Sequence, residues 1–148
     1  MKVWLILHAA LAVATVGLSV HNGLLSLSHW RGNYRKPLLQ KFYVRWLAIL
    51  FGLNMALGLV IYPAFRVGVR AAWLDAEVPL ASGFFEAKEH WLALGMLLLA
   101  WYYPKSRDIV AGDRSPEARL YCFAGVALSL IVVFSALTGF ALVALKSI

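Results

Sequence analysis

Charged residues and cysteine are scarce in this chain, and their scarcity excludes several classes of protein. Only 14% of the 148 residues are charged, whereas 62% are hydrophobic, a balance far from that of a soluble globular domain. The single cysteine, Cys122, has no partner within the chain, so an intrachain disulfide and a cysteine-based metal site are both excluded. We expect Cys122 to be a small buried or lipid-facing side chain.

Familiar catalytic patterns are missing as well. The sequence has no phosphate-binding loop, no serine nucleophile with its base and no nucleotide-binding fingerprint. Residues 108–120 place acids near a glycine but lack the repeated oxygen ligands of a calcium loop. The net charge of +7 arises mainly from two short basic connections, which membrane topology explains better than nucleic-acid binding does. We therefore expect no nucleic-acid partner.

Four apolar runs dominate the rest of the chain, at about residues 3–27, 42–62, 87–103 and 120–145. A helix of about 20 residues crosses the hydrocarbon core of a bilayer. None of the runs shows the alternation expected of barrel strands, so these segments are predicted to be helices. The sequence therefore predicts an all-α integral membrane protein, a four-transmembrane-helix up-down bundle in a single domain (1–148), with an outer loop at 63–86.

Basic residues set the expected orientation of this bundle. The first connection carries four bases and no acid, and the third connection carries four more. They are Arg31, Arg35, Lys36 and Lys41, followed by Lys105, Arg107, Arg114 and Arg119. By the positive-inside rule, both connections face the cytoplasm, so both termini lie on the outer side. Aromatic residues at 101–103 are typical of a membrane-interface belt. We expect the inner (plasma) membrane of a bacterium.

A polar seam runs along the first predicted helix. His8, Thr15, Asn22 and His29 recur every seven residues, and two serines, at 19 and 26, lie on the adjoining rows. Because a seven-residue step drifts only about 20° around a helix, these side chains form one nearly straight line. Polar groups are costly in lipid, so the seam is expected to face protein. It serves either helix packing or the lining of a cofactor, proton path or quinone pocket.

Residues 84–91, with the sequence FFEAKEHW, concentrate ionisable groups at the start of the third apolar run. Glu86 and His90 are four residues apart and Glu89 lies between them, so all three share one helical surface. His8 is at a similar depth in the first helix, which runs in the same direction. The sequence therefore predicts that His8 and His90 can meet near the outer face.

Two cofactors fit these residues. In the first hypothesis, His8 and His90 are the axial ligands of one b-type haem, and Arg66 and Arg70 neutralise its propionates. In the second, a non-haem metal ion is held by four side chains. They are His8, Glu86, Glu89 and His90.

A third explanation needs no cofactor. The carboxylates offset the dipole of a helix start, and Lys88 extends outward to water. Arg66 and Arg70 then face anionic lipid, a partner protein or the carboxylates Glu86 and Glu89, and Arg70 with Asp75 or Glu77 forms a surface ion pair.

The preferred functional prediction is a small membrane electron-transfer subunit that holds one haem b and exchanges electrons with a quinone or a partner protein. The first alternative is a non-enzymatic accessory or assembly subunit of a larger membrane complex, without cofactor. The second is a metal-binding membrane enzyme that uses Glu86, Glu89 and His90. A homo-oligomer is compatible with each, and the surrounding lipid bilayer is a partner in all three.

Overall fold

The computed structural model describes residues 2–33 and 35–147, and every regular element in them is helical. Helix α1 is Lys2–Trp30, α2 is Pro37–Phe65, α3 is Pro79–Lys105 and α4 is Pro116–Ser147. The all-helical prediction is thus confirmed for the described chain, in which no strand occurs. Proline stands at the first position of α2, α3 and α4, where its missing N–H costs no helical hydrogen bond.

Three helical stretches are long and apolar enough to cross a membrane. They are Lys2–Trp30, the uninterrupted helical stretch Pro37–Glu77 and Pro116–Lys146. Helix α3 does not reach the same hydropathy, because Glu86, Lys88 and Glu89 lie in its first half. Large apolar side chains such as Leu59, Leu97 and Leu130 are exposed on the outer surfaces of the helices, as expected for helices surrounded by lipid.

The segment predicted as an outer loop, 63–86, is helical except at Val78. Helix α2 passes Pro63 and continues directly into a π-helical segment, Arg66–Leu74, and a single turn, Asp75–Glu77. The backbone reverses direction at Val78, and α3 begins at Pro79, two turns before the charged residues that resembled a helix start. The π-helical segment is the widest part of the stretch, and π-helical turns often occur at functional sites.

Helix α1 packs against both α2 and α4, and α4 packs against α3, whereas α2 and α3 touch only sparsely. Near the start of α1, the ring of His8 contacts Gly58, which lies near the end of α2. We call this the terminal end of the bundle, because α1 begins and α4 ends there. At the opposite end, which we call the connection end, buried Val44, Leu47, Tyr102 and Leu128 form part of the main core.

Candidate functional site

The polar seam of α1 faces the interior of the bundle, as predicted. Thr15, Ser19, Asn22 and Ser26 are each at most 2% exposed, and His29 is buried as well. The hydroxyl groups of Thr15 and Ser19 donate to carbonyl oxygens of their own helix, at 2.7 and 3.1 Å. Because these two side chains satisfy themselves locally, they leave the helix surface free to pack closely.

The half of the seam nearer the connection end belongs to a hydrogen-bond network around the buried hydroxyl of Tyr102 in α3. Asn22 Nδ2 donates to this hydroxyl at 3.1 Å, Gln40 Nε2 donates to it at 3.2 Å, and Ser26 Oγ lies 3.3 Å away. The ring of Tyr102 stacks on Tyr121 of α4, with 4.3 Å between ring centroids. One hydroxyl therefore joins three helices, and its ring holds the fourth. This network stabilises the connection end of the bundle.

Two glycines make this close packing possible. A methyl group on Gly125 of α4 would overlap the Oγ of Ser26 and lie 2.6 Å from the Tyr102 hydroxyl. A methyl group on Gly23 of α1 would lie 2.8 Å from both Cβ and Oγ of Ser129. Helices α1 and α4 approach each other so closely that only glycine fits at these two positions.

Arg70 is the centre of a second group of side chains, which is charged and lies at the terminal end. It lies in the π-helical segment and donates from Nη2 to Glu86 Oε1. Its Nη1 lies 3.7 Å from Glu89 Oε2, and its Nε lies 3.6 Å from Asp75 Oδ1. The sequence allowed Arg70 to face lipid, a partner protein or carboxylates, and in the structure it pairs with carboxylates. Arg66 stays exposed beside a shallow pocket of about 370 Å³.

A third group, which we call the terminal cluster, consists of His8, Asn54 and Lys88. The half-buried ring of His8 hydrogen-bonds with the backbone of Asn54, and Lys88 is close enough for its charge to act on that ring. The Nδ1 of His8 and the Oδ1 of Asn54 are buried and have no hydrogen-bond partner among the described residues. Lys88 Nζ lies 5.2 Å from the ring centroid of Phe85, in cation–π contact.

His90 lies on a different face of α3 from Lys88. They are two positions apart in sequence, which is about 200° around the helix. The ring of His90 is exposed, and its Nδ1–H donates to the carbonyl oxygen of Glu86 at 2.8 Å. Lys88, whose charge acts on the ring of His8, thus lies on the opposite face of α3 from the exposed His90, and the structure does not bring the two histidines together.

The four predicted metal ligands are also divided among different surroundings. Glu86 and Glu89 pair with Arg70, His90 is exposed, and His8 lies in the terminal cluster. Within residues 2–33 and 35–147, no three His, Cys, Asp or Glu side chains come together as a possible metal site. A guanidinium between the two carboxylates also offsets the negative charge that would attract a cation.

His21 and Cys122 stand apart from these groups. His21 is exposed on α1, where its ring stacks on Tyr43 with 5.5 Å between ring centroids. Its Nδ1–H donates to the carbonyl oxygen of Gly17 at 2.8 Å. Cys122 is buried in α4 and 4% exposed, as the sequence predicted for a small packed side chain.

The action of the Lys88 charge on the ring of His8 was not predicted from the sequence. In the explanation without a cofactor, Lys88 was expected to extend outward to water from the start of a helix. Helical periodicity could have indicated that Lys88 faces the bundle, since Lys88 falls on the face of α3 opposite to His90 and next to the apolar Leu92. The chain matches no known protein family, and no curated protein or solved structure is detectably similar to it.

Proposed function

We propose that this chain is a membrane subunit that binds a quinone at the terminal cluster, as part of an electron-transfer complex. The observation that carries the proposal is the pair of buried, unpartnered polar atoms, Nδ1 of His8 and Oδ1 of Asn54, beside the Lys88 ammonium group. Polar and ionisable groups inside a membrane are costly and mark sites for ligands, ions or protons. A ligand that satisfies them would recover about 1–3 kcal/mol for each group.

A quinone has the matching chemistry. Its carbonyl oxygen accepts a hydrogen bond, which Lys88 would donate. The hydroxyl of the reduced form donates a hydrogen bond, which the unprotonated Nδ1 of His8 or the Oδ1 of Asn54 would accept. Quinones reach such a site from the lipid phase. The sparse contact between α2 and α3 makes the gap between these helices the proposed entry.

The proposed topology is a four-span bundle in a bacterial inner membrane, with both termini outside. Helix α3 has 27 residues, about 40 Å at 1.5 Å per residue, which is enough to cross the bilayer despite its charged first half. Arg70 supports this assignment, because it neutralises carboxylates at the terminal end of α3. The two basic connections support a cytoplasmic position for the opposite end.

Cysteine labelling in intact cells tests the orientation. Glu77→Cys and Asp108→Cys replace exposed residues at opposite ends of the bundle, each in a Cys122→Ser background. A membrane-impermeant maleimide should label position 77 in intact cells and position 108 only after the cells are opened. The reverse pattern would overturn the orientation. Labelling of both positions in intact cells would place them on the same side and would overturn the proposal that α3 crosses the membrane between them.

Quinone titration of the purified protein in lipid nanodiscs tests the function. A short-chain benzoquinone should quench tryptophan fluorescence with saturation, and Lys88→Met should raise its Kd about tenfold to a hundredfold, because one buried hydrogen bond is lost. His8→Ala should raise the Kd of the corresponding hydroquinone by a similar factor, because it removes the acceptor Nδ1. The matched control is His21→Ala, an exposed histidine on the same helix. Equal affinity in all four proteins would refute the site, provided that their thermal unfolding also agrees.

The haem prediction is tested on the same sample. If His8 serves a b-type haem instead of a quinone, the dithionite-reduced protein should show the sharp bands of that cofactor, and His8→Ala should abolish them. His90 would then have to turn from its exposed position to reach the iron. If His90→Ala leaves the bands unchanged, His90 is not the second ligand. Metal analysis of the sample tests the site of His8, Glu86, Glu89 and His90.

The accessory or assembly subunit remains a second candidate, favoured by the network around Tyr102. That network ties all four helices together through side chains of the protein alone, as a subunit with a purely structural role requires. Under this alternative, the purified protein binds no quinone and co-purifies with larger membrane partners. Its stability would depend on Tyr102, whereas His8→Ala would have no effect on the assembly of the complex.

A further inference from the structure

We propose that the pocket between α1 and α2 at the connection end binds a phosphate ester, the headgroup phosphate of an anionic phospholipid. We call it the α1–α2 pocket. It has a volume of about 310 Å³ and lies where α1 ends and α2 begins. Its lining consists of Leu25, Ser28, His29, Asn33, Arg35 and Lys36.

The charge of the lining favours an anion. Arg35 and Lys36 are exposed at the rim of the pocket, and neither forms an ion pair with an acid in the part of the chain that the structure describes. The sequence contains no acid before Asp75. An arginine can bind two oxygens of one phosphate, and a neighbouring lysine adds a second positive charge.

Three acids lie in or next to the facing α3–α4 connection, namely Asp108, Asp113 and Glu117. Glu117 pairs with Lys105 at 3.9 Å, and Asp113 Oδ1 accepts a hydrogen bond from the backbone N–H of Ser115. The same connection brings a further base near the pocket, because a methyl group on Gly32 would lie 3.7 Å from Nη2 of Arg114. Within that connection, Arg107 and Arg114 match the charges of Asp108 and Asp113, so it carries no net negative charge to offset Arg35 and Lys36 at the pocket.

The neutral part of the lining and its surroundings fit a lipid better than a free ion. Leu25 gives the pocket an apolar wall, and Ser28 and Asn33 provide neutral hydrogen-bond donors. Beside it, Leu38 is 79% exposed and Phe42 is 53% exposed at the start of α2. Acyl chains would cover these side chains while the phosphate meets the bases, which is the geometry of basic lipid sites at the cytoplasmic membrane surface.

Native mass spectrometry of the full chain, purified from bilayers of phosphatidylglycerol and phosphatidylcholine, tests this site. The pocket variant is Arg35→Gln with Lys36→Gln. The matched control is Arg107→Gln with Arg119→Gln, which removes the same charge from the other basic connection. We expect wild type and control to retain phosphatidylglycerol over phosphatidylcholine. The pocket variant should retain about tenfold less, because two basic contacts are lost.

A large excess of inorganic phosphate distinguishes the two sources of this chemistry. If phosphatidylglycerol stays bound in the presence of the phosphate, a lipid headgroup is supported. If the phosphate displaces the lipid, and does so only when Arg35 and Lys36 are present, the pocket recognises phosphate but the lipid is overturned as its preferred source. Equal retention of phosphatidylglycerol by all three proteins would overturn the proposal. Quinone titration of the pocket variant keeps the two sites separate, since the proposed quinone site lies at the terminal end and its Kd should not change.

Discussion

Gly125→Ala tests whether the network around Tyr102 holds the helices at the distance described here. The new methyl group would overlap Ser26 Oγ, lie 3.0 Å from Ser26 Cβ and lie 2.6 Å from the Tyr102 hydroxyl. Rotation of the serine hydroxyl relieves only the first of these contacts, so α1, α3 and α4 must move apart. Overpacking of this kind costs about 1–3 kcal/mol, and hydrogen bonds across the helices are weakened in addition.

Gly52→Ala is the matched control, because a methyl group there meets nothing within 4 Å. Alanine is favoured over glycine in a helix interior by up to about 1 kcal/mol, so Gly52→Ala should leave stability unchanged or raise it. The assay is unfolding of the purified protein in detergent, by heat or by titration with dodecyl sulfate. Opposite signs for the two variants are expected. If Gly125→Ala is as stable as Gly52→Ala, the close approach of α1 and α4 at Ser26 is wrong.

Two further substitutions probe the polar groups. Tyr102→Phe should destabilise the protein by about 1–2 kcal/mol, because its buried partners lose the hydroxyl to which they hydrogen-bond. Tyr103→Phe is the control. Equal unfolding midpoints for the two variants would contradict the hydrogen-bond network around Tyr102. Arg70→Gln should cost less than about 1 kcal/mol, because its carboxylate partners are substantially exposed. That loss should shrink when unfolding is repeated at high salt, and a large loss that salt does not change would show that Arg70 has another role.

Much of the helical architecture follows from the sequence, because long apolar runs leave a helix as the way to satisfy the backbone in lipid. The boundaries were less predictable. The second apolar run was predicted to end at residue 62, yet the helix continues past Pro63 into a wider π-helical segment. The charges of 86–89 resembled the first turn of a helix, but α3 starts earlier, at Pro79. Pairing with Arg70 allows those carboxylates to lie inside a helix, and this pairing depends on tertiary contacts.

The candidate sites, like the helices, were predictable from the sequence only in part. Periodicity alone predicted that the α1 seam faces protein, since one row of polar residues has to avoid lipid. It could not identify the partners of Asn22 and Ser26, because Gln40 and Tyr102 come from other helices. Tyr102 looked like part of an interfacial aromatic belt, yet it is fully buried. Equal depth suggested that His8 meets His90, but depth does not specify the rotation of a helix, and the rotation of α3 turns Lys88 toward His8.

The most direct test of the proposed function is the amount of quinone that the protein retains when it is purified gently from membranes. The account predicts near-stoichiometric quinone in the organic extract of wild type and of His21→Ala, and a strong loss in Lys88→Met. Size-exclusion profiles should agree among the three proteins. A folded wild-type protein that carries no quinone, or a Lys88→Met variant that retains as much as wild type, would contradict a quinone site at His8, Asn54 and Lys88.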